Sequence, residues 1–289
     1  GVLLSDDTSG GFLQTVATLV GREGDTWFTS VSHAHDYRAR DNGLVRTLYP
    51  LVSAVDVEKA SLQALTIDGN AAQNERLNGC RGGGFFAHRS EAITVQGVMV
   101  HNFNGDGFSF QTCDDLELRD CVAENCTGHG FHPGSGSNYF HIHHCTASRC
   151  GECGLFYCLR VRDGVLEHCT FEENGSHGVS IGSRDVDHLN RDLTIRHNGG
   201  AGIYLRPGER ATAAHGNRIE SCTLEDNCRD DGEGEIVLQG EAEGVQLTGN
   251  RIRRREEKPG ILIKAEMPPF ICRDNAIKPG GKGAVVDRR

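Results

Sequence analysis

The chain has 289 residues, a formal net charge of −10 and a pI near 5.8. That acidic balance argues against nucleic acid as a partner, and no apolar run is long enough to span a membrane. Glycine is abundant at 38 and proline scarce at 7, which suits tight turns between strands that must keep their backbone donors.

Residues 1–55 follow no repeat. TVATLVG and TWFTSVS predict a hairpin turning at Arg22–Asp25, and LVRTLYPLVSAV reads as an extended run into the next region. Gly1 is not an initiator Met, and neither a signal peptide nor an end cap is visible, so a truncated fragment is expected.

From residue 56 to 289 the chain reads as one elongated unit. SLQALTIDGN opens a repeat, and NAAQNERLNGCRGGG forms a longer loop between Gly69 and Gly84. Gly107, Gly130, Gly154, Gly178 and Gly202 then recur at spacings of 23, 24, 24 and 24. Each opens a phrase in which apolar and variable residues alternate (DGFSFQT, HGFHPGS, CGLFYCL, HGVSIGS, AGIYLRP), the signature of a half-buried strand. A second short strand follows each phrase (LELRDC, FHIHHC, GVLEHC, DLTIRH). A fixed period of this length, with no helical stretch, predicts an all-β solenoid: a right-handed parallel β-helix with rungs of about 24 residues. Inserted loops are expected at 206–217 and 228–235, where they would wall a groove on one face.

The cysteines fit this frame. Cys121, Cys145 and Cys169 are 24 apart, as are Cys126 and Cys150, whose next equivalents are Asn174 and Asn198. Internal ladders of reduced thiols are expected rather than a disulfide framework.

Alternation assigns faces. Phe108, Phe131, Leu155, Val179 and Ile203 should point inward; Ser109, His132, Phe156, Ser180 and Tyr204 should point outward. Two positions on come Gln111, Gly134, Cys158, Gly182 and Arg206. The outward strip is expected to carry the function, with Ser135, Ser137, Arg160, Arg162, Ser183, Arg184, Asp185, Asp187 and His188 beside it. Arginine forks suit carboxylate and sulfate, although an Arg–Asp surface ladder would use the same residues. In His132-Pro-Gly-Ser-Gly-Ser, small residues leave an open floor beside an imidazole. Asp185 and Asp187 share a parity, which would suit Ca²⁺ or the acid and base of glycoside hydrolysis. His141, His143, His144 and Cys145 offer metal-ligand types, but alternation divides them between faces. No metal or other cofactor is expected there or at His33, His35 and Asp36.

The phrases NGCRGGG (78–84), NGDGFSFQTCDD (104–115), GFHPGSGS (130–137), LFYCLRVRDG (155–164) and VSIGSRDVD (179–187) resemble a large group of bacterial right-handed β-helix proteins of the pectate-lyase-like superfamily. The resemblance runs from about residue 5 to 220. Leu159, Ser183 and His188 stand where that group commonly has Trp, His and Asn. LTIDGN (65–70) and the rung order are more distantly similar to mannuronan C-5 epimerases, without their Asp-Pro-His phrase.

Members of the bacterial β-helix group typically carry no assigned reaction; the outward arginines and His132, with the distant epimerase similarity, lead to the expectation of an enzyme acting on an acidic, uronate-containing polysaccharide by lyase or C-5 epimerase chemistry. Arg160, Arg162 and Arg184 would neutralise the carboxylate, His132 would take the α-proton and Tyr204 would return one. Gln111, Ser135, Ser137, Ser180, Ser183, His188 and Arg206 would bind substrate. An inverting hydrolase using Asp185 and Asp187, or a glycan-binding solenoid without chemistry, are the alternatives. The substrate class favours a secreted or periplasmic location; oligomeric state stays open.

Overall fold

Three parallel sheets wind through the chain in register. The computed structural model describes residues 1–10, 13–47 and 52–289. Among these, one sheet has ten strands and two have nine, each strand pairing with its counterpart one rung away. Among the described residues no α-helix interrupts them, the named helical elements being the short 3₁₀ turns Ala39–Asp41, Ala71–Gln73 and Arg210–Thr212, and no helix is long and apolar enough to cross a membrane. The ten-stranded sheet includes Phe85–His88, Phe108–Gln111, Phe131–Gly134, Leu155–Phe156, Val179–Ile181 and Ile203–Leu205. It begins at Val52–Val55, four residues ahead of the boundary expected at residue 56. Residues 48–51 of the expected extended run lie outside the described residues.

The interior is built by stacking like on like. Phe108 and Phe131, directly paired, lie with ring centroids 5.1 Å apart and planes 11° from parallel. Cys121, Cys145 and Cys169 are free and buried at one corner, where their thiols donate to backbone carbonyls. At the next corner Cys126 and Cys150 give way to an asparagine ladder. Asn174 Nδ2 donates to Asn198 Oδ1 (3.0 Å), and Asn198 Nδ2 to Asn227 Oδ1 (2.8 Å). The amides also satisfy turn backbone, as where Cys150 N–H donates to Asn174 Oδ1 at 3.0 Å. A buried polar group is tolerated when its whole capacity is used, and here it is used repeatedly.

Outside the solenoid, Val2–Ser5, Thr15–Ala17 and Leu44–Thr47 form a small antiparallel sheet. The expected hairpin is present as Leu19–Glu23 against Thr26–Thr29. Leu3 joins the main core, so this sheet packs on the solenoid beside the 69–77 loop.

Candidate functional site

The outer face of the ten-stranded sheet is not an open strip. Ser109, His132 and Ser180 do point away from the core, as alternation requires, yet they are 0%, 4% and 1% exposed. The cover over Ser109 and His132 is the loop 70–84. Arg76 pairs with Glu152, Leu77 N–H donates to Asn104 O (2.8 Å), and Ser109 Oγ donates to Gly79 O (2.6 Å). Asn78 Oδ1 accepts from Cys80 N–H at 2.9 Å, and this side-chain turn aims Cys80 at the sheet. Gly79 is required by proximity. A Cβ there would stand 2.5 Å from both Asp106 Cγ and His132 Nδ1, and closer still to Asp106 Oδ2.

Beneath the loop, His132 Nδ1 donates to Asp106 Oδ2 at 2.5 Å, and Asp106 Oδ1 accepts from His129 N–H at 2.8 Å. Burial is the largest single influence on His132 and opposes its charge, but the interactions with Asp106 and Cys158 together hold the imidazole pKa above its usual range. The other nitrogen, Nε2, is buried and has no hydrogen-bond partner. The thiols of Cys80 and Cys158 stand next to it; the ligand atoms of the three residues lie within 4.8 Å of one another. Hydrogen bonding from the Cys158 thiol lowers the Cys80 pKa against the effect of burial. Gly134, between Gln111 and Cys158 in register, supplies no side chain. Gln111 folds over it; a Cβ at Gly134 would lie 2.6 Å from Gln111 Oε1.

A cleft of about 220 Å³ opens beside this cluster, lined by Cys80, Arg81, His88, Gln111, Thr112, Ser135 and Arg160. Gln111 Oε1 and Ser135 Oγ are buried there without partners. The His88 pKa is lowered, first by burial and then by Arg89 and Arg81, so its ring is neutral at neutral pH. A larger cleft of about 640 Å³ lies between the small N-terminal sheet and residues 73–77. Among the described residues it gathers no comparable set of unpartnered buried groups, so the smaller cleft is the better candidate.

The sequence-derived residues separate on this geometry. Gln111, Ser135 and Arg160 line the cleft. His132 lies beside it but is closed off by the Gly79–Cys80 turn, which removes it as a base reaching a bound sugar. Arg162 is exposed and pairs with Asp163 (3.0 Å); Arg184 donates to Ala211 O (3.2 Å) on the 206–217 loop. Tyr204 stacks on His177 with centroids 4.2 Å apart. It is three rungs from His132, roughly 14 Å at about 4.8 Å per rung, too far to share one sugar ring with it.

Asp185 and Asp187 do not form a pair. Ser183, Arg184 and Asp187 have positive φ (51°, 67° and 61°), and alternation fails wherever the backbone leaves the extended region. Asp185 turns inward, 0% exposed, to accept from Gly182 N–H (3.0 Å), Val161 N–H (3.2 Å) and Arg206 (3.0 Å). Asp187 stays exposed near Gly216. Ser183, half-buried, spends its carbonyl on Arg160 N–H (3.0 Å). Ser137 is fully buried as a turn staple, its hydroxyl donating to Gly134 O at 2.7 Å. His188 is inside the solenoid, its ring 4.2 Å from that of Tyr157, and burial pushes its pKa down to about 3. Arg206 lies over the Phe156 ring at 4.3 Å and donates to Ser180 Oγ at 2.9 Å. Its fork, with Ser180, is therefore spent inside the protein. On the second sheet, His141 and His143 pair with Glu167 and Glu117.

Residues 52–162 and 157–288 match the family described as the right handed beta helix region. The chain belongs to the right-handed β-helix family. No curated protein matches the sequence of this β-helix. Among solved structures it is similar to the A-module of the Azotobacter vinelandii mannuronan C-5 epimerase AlgE4, with TM-score 0.55, 17% identity, and coverage of 79% of this chain and 74% of that one. The AlgE6 A-module of the same organism gives 0.53, 17%, 80% and 74%. A single-site mutant of the periplasmic alginate epimerase AlgG gives 0.52, 10%, 75% and 60%. At these identities the likeness is one of fold.

Sequence reasoning missed Asp106, Cys80, Arg81 and His88. Cys158 had a readable signal: it has outward parity and sits off the internal cysteine ladders. Cys80 had none beyond a glycine-rich break in the repeat.

Proposed function

We propose that this β-helix is a carbohydrate-active enzyme that binds a uronate unit of an acidic polysaccharide in the small cleft and removes the proton α to its carboxylate. The observation that carries the reading is the convergence of Arg81, Arg160 and the neutral imidazole of His88 on one cleft, in a chain of net charge −10. An α-carbanion forms only when the adjacent carboxylate charge is neutralised, and guanidinium forks do this best. A neutral imidazole beside them is the form that accepts a proton. Gln111 and Ser135 would bind the sugar hydroxyls. At about 220 Å³ the cleft is smaller than sites for drug-sized ligands, in keeping with recognition of a single sugar unit.

Neither Asp nor Glu is among the described residues lining the cleft, so the hydrolase alternative has no carboxylate pair to work with. The similar structures are epimerases of mannuronan and alginate by name, which makes those polymers the first to try. Proton NMR in D₂O with mannuronan, alginate, polygalacturonate and a neutral glucan tests the reading. Olefinic signals identify a lyase; loss of the H-5 signal without cleavage identifies an epimerase. Arg160→Ala and His88→Gln should each lower kcat/KM roughly 10²- to 10³-fold. An inert panel with retained binding would leave a glycan-binding solenoid, and an inert panel without binding would overturn the proposal.

A further inference from the structure

Two of the thiols are set apart from the others. The ladder cysteines face inward and donate to carbonyls of their own turns. Cys80 and Cys158 instead face each other across the outer surface of the sheet, with the His132 ring beside them. The three residues come from one loop and two different rungs.

We propose that Cys80 Sγ, Cys158 Sγ and His132 Nε2 form a site for a thiolate-preferring divalent transition metal of the zinc type, with a fourth position toward the cleft. Tetrahedral zinc with sulfur at about 2.3 Å and nitrogen at about 2.0–2.1 Å places such ligand atoms roughly 3.5–3.8 Å apart. The three atoms are within 4.8 Å of one another, so a movement of about an ångström by the loop that carries Cys80 completes the geometry. His132 is prepared for the task. Its Nδ1 is held by Asp106 at 2.5 Å, the carboxylate–histidine arrangement that fixes ring orientation and raises ligand basicity. Its Nε2 is a buried polar atom with no hydrogen-bond partner, a cost that native structures rarely leave uncompensated.

Ligand chemistry selects the metal. Two sulfurs and an imidazole exclude the oxygen-seeking Ca²⁺ and Mg²⁺. Three protein ligands leave a coordination position open. Cys80 borders the cleft beside Gln111 and Ser135, whose Oε1 and Oγ have no partner, so a water or a substrate oxygen can occupy that position and hydrogen-bond to them. Gly79 and Gly134 provide the space: the first lets the loop sit against Asp106 and His132, and the second keeps the floor clear between Gln111 and Cys158. These ligands are 52 and 26 positions apart in sequence, so no local spacing marks the site.

The inference goes beyond the proposed reaction and does not depend on it, because its test contains no substrate. Protein purified under reducing conditions and stripped with EDTA is titrated with Co²⁺, then Zn²⁺. Expected are the intense visible bands of tetrahedral cobalt–thiolate, saturating at one ion per chain and bleached by one zinc. Cys80→Ser and Cys158→Ser should each abolish the thiolate bands, while Cys272→Ser, at an exposed position, should keep them. Asp106→Asn should weaken binding roughly 10- to 100-fold. X-ray absorption of the zinc-loaded wild-type protein, which needs no variant to fold, should show a shell of two sulfurs and one imidazole. Only the weak spectrum of octahedral cobalt, unchanged bands in both serine variants, or a Cys80–Cys158 disulfide in peptide maps would overturn the proposal.

Discussion

Replacing Gly79 by Ala tests whether the loop 70–84 is the element that builds the site. The new methyl would lie 2.5 Å from Asp106 Cγ and 2.5 Å from His132 Nδ1, and neither neighbour can yield. Asp106 is pinned through both oxygens, by His132 (2.5 Å) and by His129 N–H (2.8 Å). Overpacking of this kind costs about 1–3 kcal/mol. Against it stands what holds the loop down: the Ser109–Gly79 and Leu77–Asn104 hydrogen bonds, worth about 1 kcal/mol each, burial of Leu77, worth about 1.5–3 kcal/mol, and the half-exposed Arg76–Glu152 pair, worth little. The strain cancels a large part of this, so the lifted state of the loop should become more populated while the solenoid stays folded. Alkylation of Cys80 in EDTA-treated protein reads this directly, because its rate follows the open population. A strain of about 1–3 kcal/mol predicts acceleration of roughly 5- to 150-fold, with the thermal midpoint of the solenoid nearly unchanged. Gly10→Ala, where a Cβ meets nothing within 4 Å, is the control. Equal labelling rates for Gly79→Ala and wild type would refute the reasoning.

Asn198→Ala should cost about 2–5 kcal/mol in guanidinium unfolding, because it strands the Asn174 N–H and the Phe171 carbonyl inside the solenoid; a loss below about 1 kcal/mol would mean that water replaces the ladder. Burial raises the Asp185 pKa from 3.8 to about 7 despite Arg206. The folded chain then holds that proton more tightly than the unfolded chain, so the contribution to stability is full below pH 3.8 and is lost as pH rises toward 7. Asp185→Asn should flatten the decline of thermal midpoint across that window, and an unchanged slope would exclude Asp185 as its source.

The rung period, the inward Phe column and the cysteine and asparagine ladders were legible in the chain because neighbours in a solenoid are residues one period apart. Local spacing is then also spatial contact. The same logic put Cys158 on the outer face beside His132. It failed for Asp185 and His188, where left-handed residues at the turns reset the alternation that parity arguments assume. It failed also for the loop 70–84, which has no period. Where that loop docks is decided by the glycine contact at position 79, by Ser109 and by the Arg76–Glu152 pair, all between residues remote in sequence. Composition and periodicity therefore determine the architecture and its core. The meeting of Cys80, His132 and Cys158, and the cleft beside them, exists only once the non-repeating loop has folded across the repeating rungs.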